Sequence, residues 1–396
     1  MALLETELYG NRAGVGIAKV SSGLVAINAM RGQGTSMVIG ALAELVSTPV
    51  DDGVAVVQTL GYHTPGDGGH GVYKRVVAEP PHAAKAIAQN GVFLELVPDQ
   101  IIRVRQLGAQ TGTDVTAAIQ NAIDFALFGN AGHATGHDVL VDVSGTLSDT
   151  IHVGYGNFQG LSLHGLGGVY QNVPNFSGTL LTTTMTDRPA VSVNAARRTR
   201  IVGISFTGPA FEAIRDIDKA APSYMDEATF DTALGTVGIV AGKRYAPHAA
   251  IAIDAYSGDA DVNVPPVAGD RYPQVTPPPW VPTQPDDYHM FASSSIVIED
   301  CFVSGYEVGM VLSPSPHDRN GDFFTVENCG FSRLKYGISV GQTQGRIGTA
   351  RQCVTLQLHT FLTNCAHGPR RGNFKLIEGC SIASGVARIF AFASTG

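Results

Sequence analysis

Charge is scarce in this chain: Asp, Glu, Lys and Arg make up 15% of its 396 residues, against about 25% in an ordinary soluble domain. The net charge is −8 and no Lys/Arg-rich run occurs. Phosphate-backbone binding draws its affinity from cations that displace counterions, so nucleic acid is not an expected partner. The five cysteines, Cys301, Cys329, Cys353, Cys365 and Cys380, are odd in number and confined to the last quarter. A disulfide-stapled secreted scaffold does not look like this, and they read as reduced core residues.

The N-terminus has no basic start followed by an apolar stretch, and nowhere do about 18 apolar residues run together, so neither Sec export nor membrane insertion is expected. No Ser/His/Asp order, Cys-x-x-Cys pair, His-Glu-x-x-His motif or dinucleotide fingerprint occurs. Metal-hydrolase and redox chemistry are disfavoured, and no metal or cofactor is expected.

What is abundant is glycine, 47 residues, beside 44% hydrophobics, the composition of a turn-rich β-protein. Single cores rarely grow past about 250 to 300 residues, so several structural units are expected. Residues 1–45 are rich in Gly, Ala, Ser and Met without a sustained period and read as an attachment or linking segment. Residues 46–102 read as a small β-hairpin unit, with β-like runs at Val54 to Thr59 and Gly71 to Val77 around the turn cluster Thr64-Pro65-Gly66-Asp67-Gly68-Gly69. One amphipathic helix is predicted at 114–127, with Thr113 or Asp114 as N-cap and Val115, Ala118, Ile119, Ala122, Ile123 and Ala126 on one face. A lone helix in β-patterned text needs a flat apolar surface to cover, and the open end of a β-solenoid provides one.

Residues 103–396 carry a recurring hexapeptide: apolar, any, Gly/Asn/Asp, apolar, any, apolar. Its copies begin at Phe158, Ile201, Ile298, Val326 and Ile377, with Gly160, Gly203, Asp300, Asn328 and Gly379 in third place. Alternating residues of a strand turn inward, and a residue that tolerates φ > 0 swings the chain onto the next face, so repetition makes a coil. The third and fourth copies lie 28 residues apart and match further on, Ser304 with Ser332, Gly309 with Gly337 and Met310 with Ile338. That period is one solenoid turn, and the 51-residue step to the fifth copy is two. Cys301, Cys329 and Cys380 share the fourth position and should stack as an inward ladder. Two lateral insertions, 209–246 and 257–293, account for the long gap between the second and third copies. The second of them is proline-rich and holds Trp280, the only tryptophan.

Two stretches resemble the pectate-lyase-like superfamily found in bacteriophage tailspikes and capsular depolymerases. Gly61-Tyr62-His63-Thr64-Pro65-Gly66-Asp67-Gly68-Gly69-His70-Gly71 is similar to the glycine-rich hairpin that precedes the β-helix there. Residues 107 to 124, Leu107-Gly108-Ala109-Gln110-Thr111-Gly112-Thr113-Asp114 and the helix after it, are similar to the segment that leads into the coil. The resemblance implies an all-β, right-handed parallel β-helix with a capping α-helix. It implies a homotrimer mounted on a virion through the N-terminus, in contact with other tail proteins, and recognising or degrading glycans. It carries no catalytic residue across, because the resembling segments are structural. A virion protein also leaves its cell by lysis, which agrees with the missing export signal.

Candidate chemistry therefore comes from the residues themselves. The Gly66 to Gly71 stretch is a hairpin turn rather than a phosphate cradle, since no helix opens after it. Glu299 and Glu327 occupy equivalent positions one period apart, and stacked carboxylates can divide into acid and base for glycoside hydrolysis. The competing reading is a solvent-facing position, which Glu378 also occupies. Asp322 lies just before the Glu327 strand and is a candidate third acid. Asp318, Asn320 and Asp322 form a turn that resembles a Ca²⁺ loop but lacks its distal Glu. Trp280, Tyr288, Asp286, Asp287 and His289 combine flat rings with carboxylates, the equipment of a carbohydrate groove, or else of a proline-braced subunit contact. His317 and Arg319 are candidates for a lyase.

The expected function is a phage tailspike at the host cell surface that binds, and in one reading degrades, bacterial surface polysaccharide. The alternative is a non-enzymatic structural or adaptor component of the tail built on the same trimeric rod, and a bacterial glycan lyase stands third.

Overall fold

The computed structural model describes residues 35–130, 134–153, 160–167, 178–185, 188–193, 196–209, 249–253, 293–306, 308–312, 323–340, 348–364, 374–382 and 386–391. It divides into two compact units, Met1–Ala109 and Gln110–Gly396.

The first unit is a five-stranded sheet in the order Thr35–Ile39, Val54–Thr59, Gly71–Val76, Phe93–Val97, Lys85–Ile87. Only its first pair is parallel. Thr35–Ile39 and the 3₁₀ turn Leu42–Ser47, which the sequence placed mostly in the leading segment, belong to this sheet's fold. Ile39 is the only buried residue of its strand, so no alternation marks it. The glycine-rich stretch is the connection between two antiparallel strands. At its centre the Asp67 carboxylate accepts four backbone N–H groups, from Tyr62 (3.1 Å), His63 (2.8 Å), Thr64 (3.0 Å) and Gly69 (2.8 Å). Gly61 is obligatory here, since a Cβ would lie 1.8 Å from the Thr64 carbonyl oxygen.

The second unit is a right-handed parallel β-helix. Its described strands complete seven coils. One sheet stacks Asp138–Leu140, Ser162–His164, Arg200–Val202, Ile296–Glu299, Phe324–Glu327, Gly348–Arg351 and Phe374–Glu378, all parallel. A second stacks Gly145–Leu147, Thr179–Thr183, Ile204–Thr207, Phe302–Ser304 and, in the fifth and sixth coils, the first halves of Gly330–Val340 and Val354–Asn364, ending on Ser381–Ile382. A third stacks Ile151–Val153, Val191–Val193, Ala249–Ile253, Val308–Leu312, the second halves of the same two long strands, and Val386–Ala391.

The core is a set of columns along the coil axis. Val139, Leu163, Ile201, Ile298, Val326, Ala350 and Ile377 lie in register on successive coils. The first six are at most 1% exposed, and each fully buried Val, Leu or Ile contributes roughly 1.5–3 kcal/mol. Left-handed residues make the corners. Gly203 (φ 68°), Asp300 (54°), Asn328 (51°) and Gly379 (63°) share one corner as the sequence predicts, and Gln352 (49°) joins them. Gly160 does not. Leu163, not Phe158, is the partner of Ile201, so Gly165 takes the place next to Gly203, while a Cβ on Gly160 would meet Arg198 at the preceding corner. The hexapeptide slipped because apolar alternation continues on both sides of each corner. Ile201 and Ile298 are neighbours in space although they stand 97 positions apart; the two expected lateral insertions, 209–246 and 257–293, lie almost wholly outside the described residues.

The helix forms at Thr116–Phe128 and buries Ile119, Ala122, Ile123 and Phe125 to Phe128 against the first coil. Asp114 caps it. Its carboxylate accepts from the Thr116 N–H (3.0 Å) and hydroxyl (2.6 Å) and from the Ser148 hydroxyl (2.5 Å). Burial raises its pKa, but these hydrogen bonds outweigh that and hold it below the usual carboxylate range. Residues 112–115 pair with the strand Gly145–Leu147, which ties the helix start to the coil.

Candidate functional site

In the first-named sheet of the coil, side chains alternate in and out, so one row of outward residues runs along the axis, one residue per coil. That row reads His164, Val202, Glu299, Glu327, Arg351 and Glu378. Glu299 and Glu327 are direct register partners, as their equivalence in the repeat predicts, with a backbone step of about 4.8 Å.

The pair is not isolated. Arg200 Nη2 donates to Glu299 Oε2 at 2.5 Å across 99 residues of sequence. On the other side Arg351 Nε lies 3.5 Å from Glu378 Oε2, and at the far end His164 Nε2 lies 3.6 Å from Asp138 Oδ2. Partly exposed pairs of this kind contribute about 0–1 kcal/mol each, so they organise the surface more than they stabilise it. Among the described residues the Glu327 side chain alone of the three glutamates has no such partner. Beside the row runs the corner column, where Asn328 Nδ2 donates to Asp300 Oδ1 and Gln352 follows on the next coil. The arrangement is a strip of carboxylates, amides and guanidinium groups repeating at the coil step.

Sequence reasoning missed Arg200 and Arg351. Arg351 belongs to a sixth copy of the repeat, Ala350-Arg351-Gln352-Cys353, concealed because Gln stands where Gly, Asn or Asp was sought. Arg200 could be found only by knowing that the second and third copies adjoin. Asp322, Trp280, Asp286, Asp287, Tyr288 and His289 lie outside the described residues, as do His317, Arg319, Asp318 and Asn320. Among the described residues no group of three or more His, Cys, Asp or Glu side chains could hold a metal ion, and no helix is long and apolar enough to cross a membrane.

A second polar cluster sits where the helix meets the first coil. Gln120 Oε1 accepts the His152 N–H at 2.8 Å, and Gln120 Nε2 donates to the His152 carbonyl at 3.1 Å and to Asp124 Oδ1 at 3.0 Å. Burial pushes the His152 imidazole down to about 4; Asp149 opposes that shift and Arg188 adds to it. Arg188 Nη1 itself bonds Asp149 Oδ1 at 2.9 Å. The contacts of Gln120 join helix to strand, a structural role.

The geometry is thus that of a right-handed parallel β-helix with a polar strip along one sheet. No protein-family model matches the chain, and no curated protein does. Several solved structures are similar to it. Full-length tailspike protein 2 from an Escherichia coli O157:H7 bacteriophage aligns with a TM-score of 0.47 at 13% identity, covering 91% of this chain and 37% of that one. The tailspike gp49 of Acinetobacter baumannii bacteriophage Fri1, described as a capsular polysaccharide depolymerase, aligns with a TM-score of 0.42 at 10% identity, covering 87% and 62%. Pantoea stewartii WceF, described as a glycan biofilm modifying enzyme with a tailspike-like parallel β-helix, gives 0.40 at 11%, covering 88% and 48%. The chain therefore spans between about a third and two thirds of these proteins' lengths.

Proposed function

We propose that the chain is a virion tailspike protein that binds a bacterial surface polysaccharide along the strip of the first-named sheet. The observation that carries the reading is the repetition of hydrogen-bonding side chains at one coil step, Glu299, Glu327, Arg351 and Glu378 beside Asp300, Asn328 and Gln352. A sugar polymer offers hydroxyls at a regular repeat, each both donor and acceptor. Carboxylates and guanidinium groups bind such hydroxyls with charge-assisted bonds. The sequence resemblance of the hairpin and of the segment before the helix supports the same reading, with a homotrimer attached to the tail through its N-terminal residues. Trp280 and Tyr288, with Asp286 and Asp287, are proposed to add ring faces and acids to the binding surface.

The register pairing of Glu299 with Glu327 favours hydrolysis as a second reading, with Asp322 as a third acid. Glu299 is already paired with Arg200, which leaves Glu327 as the carboxylate available for proton transfer. One coil step, about 4.8 Å at the backbone, is near the roughly 5–5.5 Å that separates the carboxyl groups of retaining glycosidases.

The test is incubation with a panel of capsular and O-antigen polysaccharides, following binding, reducing ends and the ultraviolet absorbance of unsaturated uronates. Binding that weakens at least tenfold in Glu327→Gln and Arg351→Ala is the expected result. New reducing ends without absorbance, lost in Glu327→Gln, establish the hydrolase. Rising absorbance moves the chemistry to His317 and Arg319. Neither binding nor cleavage across the panel overturns the proposal in favour of a structural adaptor of the tail.

A further inference from the structure

The interior of the coil holds a column of thiols that the glycan surface does not use. Cys301, Cys329 and Cys353 are 2%, 0% and 0% exposed, and Cys380 on the last described coil is partly exposed. All four are free. They repeat one geometry: each sulfur lies near the carbonyl two residues before it and near a carbonyl of the preceding coil. For Cys329 these are Glu327 (3.2 Å) and Ile298 (3.6 Å), and for Cys353 they are Arg351 (3.3 Å) and Val326 (3.8 Å). The backbone binds the column coil to coil, Gly330 N to the Cys301 carbonyl, Val354 N to that of Cys329 and Ser381 N to that of Cys353.

We propose that this ladder is a binding site for soft, two-coordinate metal ions, taking up to two Hg(II) ions per chain, each bridging thiolates of successive coils. Metal–thiolate bonds are about 2.3 Å for a tetrahedral zinc site. Two bonds of that order in line span about the 4.8 Å between neighbouring strands, so the coil step matches a linear sulfur–metal–sulfur bridge. Tetrahedral and oxygen-seeking ions are not served, because a column offers two neighbours and not four. Soft ions are selected by thiolate ligands. The balance also selects the ion: two thiols and Hg(II) give a neutral bis-thiolate and release two protons to solvent. Copper(I) or silver(I) would leave a net negative charge in an apolar core, which costs several kcal/mol. The partly exposed Cys380 marks the end from which ions enter.

The experiment uses the full chain carrying Cys365→Ser, so that the four ladder thiols are the only ones, titrated with mercuric chloride and read by native mass spectrometry. The expected result is two mercury atoms bound with loss of four protons and no retained chloride, accompanied by sulfur-to-mercury charge-transfer absorption. Four mercury atoms each retaining chloride, or uptake only after unfolding, overturns the proposal. Two double variants, each retaining two thiols, decide the register. Cys301→Ala/Cys380→Ala keeps neighbours and should bind one bridged ion, whereas Cys329→Ala/Cys353→Ala separates the remaining thiols and should bind none in bridged form. Equal bridging in both overturns it. If a double variant fails to fold, the mass of the loaded four-thiol chain decides alone.

Discussion

Replacing Asp67 by Asn tests whether a single carboxylate holds the glycine-rich connection in place. Each of its oxygens accepts two backbone N–H groups, Oδ1 from Tyr62 and Gly69 and Oδ2 from His63 and Thr64. An amide keeps one such oxygen but turns an NH₂ towards the other two donors, which then face a donor instead of an acceptor. Hydrogen bonds to charged groups contribute about 1.5–3 kcal/mol each and an orphaned donor costs about 1–3, although water reaches this partly exposed turn and reduces both. Burial raises the Asp67 pKa, but the four backbone bonds overcome it and hold the group at about 2, against 3.8 for a free carboxyl. That shift is worth about 2 kcal/mol before solvent screening. With screening at this wet turn allowed for, a loss of about 1 kcal/mol in local stability is the expectation.

The sign in pH follows. A folded-state pKa below the unfolded value gives stability that is complete above pH about 4 and disappears as pH falls towards 2. Hydrogen exchange read on peptides covering residues 60–76 reports on this turn directly. At neutral pH the Asn variant should exchange the amides of Tyr62, His63, Thr64 and Gly69 about fivefold faster, the equivalent of about 1 kcal/mol. Its exchange protection should also lack the acid-dependent loss between pH 4 and 2 that the parent shows. Unchanged protection in the variant would refute the claim that the carboxylate organises the turn.

The remaining expectations concern the coil and its assembly. His152, held down to about 4 by burial from an ordinary 6.5, makes the coil lose stability as pH falls from about 6.5 through 4. The loss is at most about 3 kcal/mol and about 2 once partial exposure is allowed for. Thermal melts at neutral pH and near pH 4 should show His152→Gln with a shallower drop than the parent, and equal drops would sink the assignment. Gln352 sits at φ 49°, where a β-branched side chain is strained. Gln352→Val should therefore be at least 1 kcal/mol less stable than Gln352→Gly by urea denaturation, and the reverse order would contradict the corner. Light scattering should return three times the 41.5 kDa of the chain, and a stable monomer would remove the proposed tail assembly.

Much of the coil could be read from short-range text because its rules are local. Cys301 and Cys329, 28 residues apart, follow Asp300 and Asn328 at equal offsets, and the structure stacks them for the same reason that the pattern repeats: inward positions recur with period two and corners need φ > 0. What failed was whatever required two distant segments to be neighbours. Arg200 reaches Glu299 only because Ile201 and Ile298 share a sheet, and no spacing rule survives the insertions between them. Gln352 escaped because the corner is defined by a backbone angle, which Gln adopts here although Gly, Asn and Asp adopt it more readily. Gly160 misled for the converse reason, since it sits near a corner without φ in the left-handed range, and one slip of register moved the whole first copy onto the wrong bend. The same asymmetry bears on the candidate site. Glu299 and Glu327 became visible through the repeat, whereas Arg200, which pairs with the first and leaves the second without an ion partner among the described residues, did not. It is that division, and not the presence of two acids, that singles out Glu327 among the carboxylates of the strip as the residue to replace first.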